Sequence, residues 1–91
     1  MKLIILHPDY GHIELKEGQK VKDGIYDGLD QKQLFEKIME DGYAGGKIPA
    51  CFGVTYTDGR TELHQAKDKD KVDVMDPAIE EIMVMAPMAG G

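Results

Sequence analysis

The chain lacks any apolar run near the roughly 20 residues that a membrane-spanning helix requires. Its opening stretch, MKLIILHPDY, is broken by His7 and Pro8 too early to form the core of a signal peptide. The expectation is therefore a cytoplasmic protein with no membrane partner. Cysteine is nearly absent. Cys51 stands alone, which excludes an internal disulfide and a cluster held by several thiolates. Positive charge is also scarce: 11 lysines and arginines face 17 acidic residues, for a net charge of −6. Phosphate contact needs clustered cations, so a general nucleic-acid binder is excluded. Acidity suits either a basic protein partner, whose encounter rate it raises, or plain solubility. There is no internal repeat and no low-complexity segment.

What is present fits one domain, since 91 residues with 42% hydrophobic content can build a single core but seldom two. Lys2 to Leu6 is an aliphatic run of strand length. After the turn residues Pro8, Asp9 and Gly11, Ile13 and Leu15 alternate with Glu14 and Lys16. Residues 2–16 thus predict a β-hairpin with a loose turn. The polar, glycine-rich stretch 17–28 offers Val21, Ile25 and Tyr26 as inward anchors. A helix is expected from Gln31 to about Asp41. Asp30 is placed as N-cap with Gln33 completing a capping box, and Leu29 and Leu34 as a hydrophobic staple. Leu34, Phe35, Ile38 and Met39 recur on one face, opposite Lys32, Glu36, Lys37 and Glu40, and Gly42 ends the helix.

The segment CFGVTYTDGRTELHQ carries the clearest strand pattern. Phe52, Val54 and Tyr56 alternate, Asp58-Gly59 predicts a type I′ turn, and Thr61 and Leu63 return. Residues 67–71, KDKDK, predict a solvated loop. VDVM is a candidate short strand, ended by Pro77 and Ala78, and Ile82 to Ala86 forms the last strand. One helix covering one face of a mostly antiparallel or mixed sheet is the architecture that buries these patterns. The last strand is apolar on both sides, with Ile82 and Val84 one way and Met83 and Met85 the other. That suits an interior position with one face on the helix and one open to a partner. The methionines are either adaptable contact residues on that open face or simple core fillers.

With this order of elements the chain closes on EEIMVMAPMAGG: an acidic pair, an apolar strand, Pro87, the small Ala89 and then Gly90-Gly91. That tail resembles those of the ubiquitin-like β-grasp sulfur carriers, which include the thiamine-pathway carrier and the small subunit of molybdopterin synthase. The resemblance implies an α+β β-grasp fold, a mixed sheet of about four to six strands packed on one main helix. It implies a β-grasp domain over residues 1–86 and a flexible tail over 87–91. It also implies that the chain is a carrier and not an enzyme, with no bound cofactor. Gly91 would be adenylated by a ubiquitin-activating-like enzyme and converted to a thiocarboxylate. Pro87, Met88, Ala89 and Gly90 would enter that partner's active site, while Met83 and Met85 would serve the docking surface. Further implied partners are a sulfur-accepting synthase and a metalloprotease that trims extended tails. A ubiquitin-like modifier joined to lysines through Gly91, or a non-covalent binding domain, are the alternatives.

Other constellations are weaker. His7, Asp9 and His12 lie close in the first turn, but two imidazoles and one carboxylate fall short of a tetrahedral zinc set, and turn polarity accounts for them. Cys51 has apolar neighbours, which favour an inert thiol over a nucleophile. DGYAGGK follows a helix where a phosphate-binding loop would precede one.

Overall fold

The computed structural model describes residues 1–87. Five strands and one main helix are present: β1 (Lys2–His7), β2 (Gly11–Leu15), α1 (Gln31–Asp41), β3 (Cys51–Tyr56), β4 (Thr61–Gln65) and β5 (Ile79–Met85). They form a single mixed sheet in the order β2-β1-β5-β3-β4. β1 pairs antiparallel with β2 and parallel with β5, and β5 pairs antiparallel with β3. This is an α+β arrangement consistent with the β-grasp fold, and it places the last strand at the centre of the sheet.

The helix forms where its sequence signals put it. The Asp30 carboxylate accepts from the Gln33 N–H at 2.9 Å, and the Gln33 side chain accepts from the Asp30 N–H at 3.0 Å, so two orphan donors are satisfied reciprocally. Leu34, Phe35, Ile38 and Met39 are buried against the sheet, and Phe35 meets Phe52 edge to face with centroids 4.9 Å apart. Gln31 is the unforeseen element of this face. It is buried, and its amide nitrogen donates to the Met1 carbonyl at 2.8 Å and the Leu15 carbonyl at 2.9 Å, tying the start of α1 to the first hairpin.

Several local expectations are corrected. Ile25 is exposed, whereas Val21 and Tyr26 do enter the core. The stretch 66–71 winds into a 3₁₀ helix instead of an open loop, with Lys71 paired to Asp68 at 3.3 Å. VDVM is not a strand. Val72 and Val74 alternate inward, but they pack near Phe35 of α1 and make no ladder pairing. β5 begins at Ile79 and ends at Met85, earlier at both ends than the apolar pattern indicates; its start is extended by Ile79, which pairs with Tyr56 across a bulge that leaves Glu80 of β5 as the extra residue.

The β3–β4 turn also differs. A type I′ turn needs positive φ at both central residues, and of Asp58 and Gly59 only Gly59 has it (φ 92°). The Asp58 carboxylate accepts from the Arg60 N–H at 2.9 Å and its guanidinium at 3.0 Å, which holds Asp58 in an ordinary conformation and leaves the left-handed position to Gly59.

At the far end of α1, Gly42 is indispensable for two separate reasons. Its φ of 62° disfavours any side chain, and a Cβ there would lie 2.5 Å from the Ile48 carbonyl oxygen. Gly45 has the first problem without the second, since its φ is 68° and the space around it is open. We expect Gly42→Ala to destabilise the fold by about 3 kcal/mol and Gly45→Ala by about 1 kcal/mol. Chemical denaturation of the two variants measures the difference; equal losses would mean that the clash with Ile48 relaxes freely.

Candidate functional site

The sheet has two unlike faces, set by strand register. Toward the helix, Leu15, Leu3, Ile82 and Val54 lie in one cross-strand row, and Ile13, Ile5, Val84 and Phe52 in the next. These rows are the core. The opposite face carries Glu14, Ile4, Met83, Gly53 and Leu63 in one row. Beside it, Leu6 sits opposite His12, and Met85 opposite Cys51.

Among the described residues no helix covers this second face, yet its middle is apolar. Ile4 is only 8% exposed, sheltered by its neighbours, while Met83, Met85 and Cys51 are half-buried. Leu6 and Leu63 are exposed at 41% and 80%. Leu63 reaches back over Gly53, whose missing side chain leaves it room: a Cβ there would come within 3.3 Å of the leucine. One edge of the face is charged. Lys2 lies 3.8 Å from both Glu14 and Glu81, and His12 lies 3.5 Å from Glu14. The result is an apolar band with an acidic flank, in the middle of which runs β5.

β5 delivers the chain to the end of this band. The Cys51 thiol donates to the Met85 carbonyl at 3.5 Å, beside the last pair of the β3–β5 ladder. Ala86 packs against the core, and Pro87, which has no N–H to continue a ladder, is exposed. A shallow depression of about 330 Å³ opens beside Ala86, lined by Leu6, Pro8 and His12 among others.

The sequence-derived site residues thus divide. Met83 and Met85 lie side by side on the open face, and Pro87 is exposed just beyond it. Met88, Ala89, Gly90 and Gly91 lie outside the described residues. Ile4, Leu6, Cys51 and Leu63, which complete the apolar band, went unrecognised because an aliphatic run such as LIIL does not reveal that its two faces have different fates. The signal was nonetheless available in Ile4 and Leu6, which fall out of phase with the core residues Leu3 and Ile5.

The first turn does not bring His7 and His12 together. They occupy opposite faces of the hairpin, His7 buried on the helix side and His12 on the open face. His7 Nδ1 accepts backbone N–H groups from Asp9 at 3.1 Å and Tyr10 at 3.3 Å, so the imidazole serves as the acceptor that folds the turn. Among the described residues no group of three metal-ligating side chains converges. His64, on the helix side of β4, stacks on Phe52 at 5.2 Å and approaches Glu62 at 3.3 Å, while Glu62 also accepts from the Tyr56 hydroxyl at 3.0 Å. In comparisons with known proteins, no family model matches the chain, nor does any curated protein or solved structure.

Burial lowers the His7 pKa below its ordinary 6.5, against an opposing pull from Asp9. The sign of the consequence follows. Above pH 6.5 the imidazole is neutral in folded and unfolded chains alike; below it the unfolded chain takes up the proton first. Stability is therefore lost as the pH falls from 6.5 through the lower folded-state value. We expect His7→Phe to be less stable than the parent at neutral pH but to show a shallower decline between about pH 7 and about pH 5. Urea midpoints across that range test this; parallel curves would show that His7 is not the titrating group.

Proposed function

We propose that this protein is a sulfur carrier. On this reading Gly91 carries the free carboxylate of the active form, a partner enzyme adenylates it, and the product becomes a thiocarboxylate. That thiocarboxylate then donates sulfur in the synthesis of a cofactor or a sulfur-containing metabolite, amino acids included. The observation that carries the reading is the position of β5. The last strand is held at the centre of the sheet, and it hands the chain to an exposed Pro87 at the end of an uncovered apolar band.

The chemistry asks little of the carrier itself. An α-carboxyl group with a pKa near 3.3–3.7 is about fully ionised at neutral pH and is a competent nucleophile toward the α-phosphorus of ATP. Attack expels pyrophosphate and leaves an acyl-adenylate. A sulfide sulfur then adds to the Gly91 carbonyl carbon and AMP departs. The carboxylate is a poor electrophile, so activation is the step that requires a partner. Gly90 and Gly91 have no side chains to obstruct a narrow channel. Every catalytic side chain belongs to the partner, and the carrier supplies recognition.

Recognition is the task that fits the open face. An apolar band containing two methionines can adapt to a partner surface, and Glu14, Glu81 and the net charge of −6 favour one whose rim is basic. A synthase that accepts the sulfur and a metalloprotease that trims extended tails are further partners on this reading.

Two measurements test it. Incubation with an activating enzyme, ATP and a sulfur source should raise the intact mass by about 16 Da, one oxygen replaced by sulfur, and removal of Gly91 should abolish the shift. An unchanged mass, with sulfur transfer intact after that deletion, would sink the reading. Lysine-linked conjugates on a denaturing gel would instead identify a protein modifier. In addition, Met83→Glu, which places a charge in the apolar band without touching the core, should slow adenylation by about tenfold or more while leaving the fold intact. Unaltered adenylation would remove the open face from the docking surface.

A further inference from the structure

The sheet is open, and its two edge strands, β2 and β4, are treated differently. Beside β2 the chain supplies partners. The Leu15 carbonyl accepts from the Gln31 side chain at 2.9 Å, the Lys16 N–H donates to the Gln19 side chain at 2.8 Å, and residues 19–26 stand alongside the strand. β4 reads TELHQ, with none of the prolines or lysines that commonly blunt an edge.

The β3–β4 ladder shows which of its backbone groups are free. At one end the Tyr56 N–H donates to the Arg60 carbonyl at 2.8 Å, and at the other the Ala66 N–H donates to the Ala50 carbonyl at 3.1 Å. Antiparallel pairs alternate between bonded and unbonded. Glu62 and His64 therefore turn their backbone groups toward β3, while Thr61, Leu63 and Gln65 turn theirs outward. The Gln65 N–H is directed at the Asp68 carboxylate. The N–H and C=O of Thr61 and Leu63, and the Gln65 carbonyl, have no backbone partner among the described residues. The side chains of these three residues are exposed, Leu63 at 80%, the highest value of any large apolar side chain among the described residues. Such an edge is a template for a further strand.

The side chains indicate which strand fits. The outward groups of two antiparallel β4 strands can meet with Glu62, Leu63 or His64 on the two-fold axis. Centring on Glu62 opposes that carboxylate to its own copy, and like charges directly opposite destabilise a sheet. Centring on His64 opposes imidazole to imidazole and sets Leu63 against the polar Gln65. Centring on Leu63 opposes leucine to leucine on the open face. On the other face it opposes Glu62 to His64, and symmetry repeats that pair. Glu62 has capacity for it: Oε1 accepts from the Tyr56 hydroxyl and approaches the His64 ring of its own chain, whereas Oε2 has only Arg60, at 4.0 Å.

We propose that β4 pairs antiparallel with β4 of a second copy about a two-fold axis at Leu63, joining the two sheets into one. Each Leu63 exchanges N–H and C=O bonds with the other, and each Thr61 N–H donates to a Gln65 carbonyl. The axis is perpendicular to the sheet, so both open faces lie on the same side. The proposal goes beyond the sulfur-carrier reading and is separate from it, because its test reads association and not adenylation.

One strand per copy makes a small interface, so we expect a Kd on the order of 100 µM. Sedimentation equilibrium of the whole chain from about 10 µM to about 1 mM should show monomer passing to dimer, and the Thr61 and Leu63 amide resonances should shift over the same range. Leu63→Lys, which opposes two like charges on the axis, should weaken association by about tenfold or more. Glu62→Lys and His64→Glu should each associate more weakly than the parent, while their mixture should form a heterodimer within about threefold of the parent affinity, since every opposed pair is then complementary. Leu63→Lys changes an exposed side chain and decides the matter alone should His64→Glu fail to fold. A chain that stays monomeric at about 1 mM, or a Leu63→Lys variant that associates like the parent, would overturn the proposal. So would a dimer that Met83→Glu dissolves and Leu63→Lys does not, which would place the contact on the open face.

Discussion

The parallel pairing of β1 with β5 is the interaction on which the rest of the structure depends. It joins the two ends of the chain, Lys2 opposite Glu81 and Ile5 opposite Val84. Without it, the β1–β2 hairpin and the three-stranded β5-β3-β4 sheet would separate, each with a newly unpaired edge and a smaller apolar face for α1 to cover. With it, Leu3, Ile5, Ile82 and Val84 become one continuous surface that α1 can cover. The contact is also the most expensive in chain entropy, since nearly all of the sequence must be looped between its partners. The order therefore follows: the helix and the two hairpins have strong local signals, and the central strand completes a frame that they prepare.

The polar groups that survive in this frame are those that fix joints. Gln31 is buried, but it spends both amide hydrogens on the Met1 and Leu15 carbonyls, which fastens the helix start to the hairpin end. His7 folds the first turn by accepting from two consecutive N–H groups. Asp58 holds the β3–β4 turn through Arg60. Each of these side chains replaces a backbone partner that the local conformation cannot supply. Tyr43 is the exception. Its phenol pKa is pushed up to about 12, chiefly by burial, with smaller contributions from Cys51 and Tyr26, and its hydroxyl has no hydrogen-bond partner among the described residues.

How far the sequence could be read depended on whether a signal was local. The capping box at Asp30 and Gln33 and the apolar stripe of α1 are short-range patterns, and the structure reproduces them. The first hairpin and the Phe52–Val54–Tyr56 alternation are equally local. The central place of β5 was legible because Ile82 to Met85 is apolar on both faces, a pattern that only an interior strand tolerates. What was not legible depended on distant neighbours. VDVM alternates like a strand, yet Val72 and Val74 pack beside α1 without a ladder. Ile25 reads like an anchor but is exposed, while Val21 and Tyr26 enter the core. Leu63 completes a good alternating pattern, but its phase sends it to the uncovered face while Glu62 and His64 turn toward the helix side. Of the candidate site, the two methionines could be read from one strand. The band they belong to is a property of four strands in register, and only the fold brings them together.

That register also sorts the apolar side chains of β5 between the two faces of the sheet. A one-residue slip of β5 against β1 would send Met83 and Met85 into the core and Ile82 and Val84 to the open face. The flexible, unbranched methionines would fill the helix interface poorly, and the branched side chains would lose the packing that the core gives them. The pairing of Phe52 with Val84 and of Val54 with Ile82 opposes such a slip from the other edge of β5. Stability thus selects the register that keeps rigid, branched residues under the helix. The adaptable residues are left outside, on the strand that leads to Pro87.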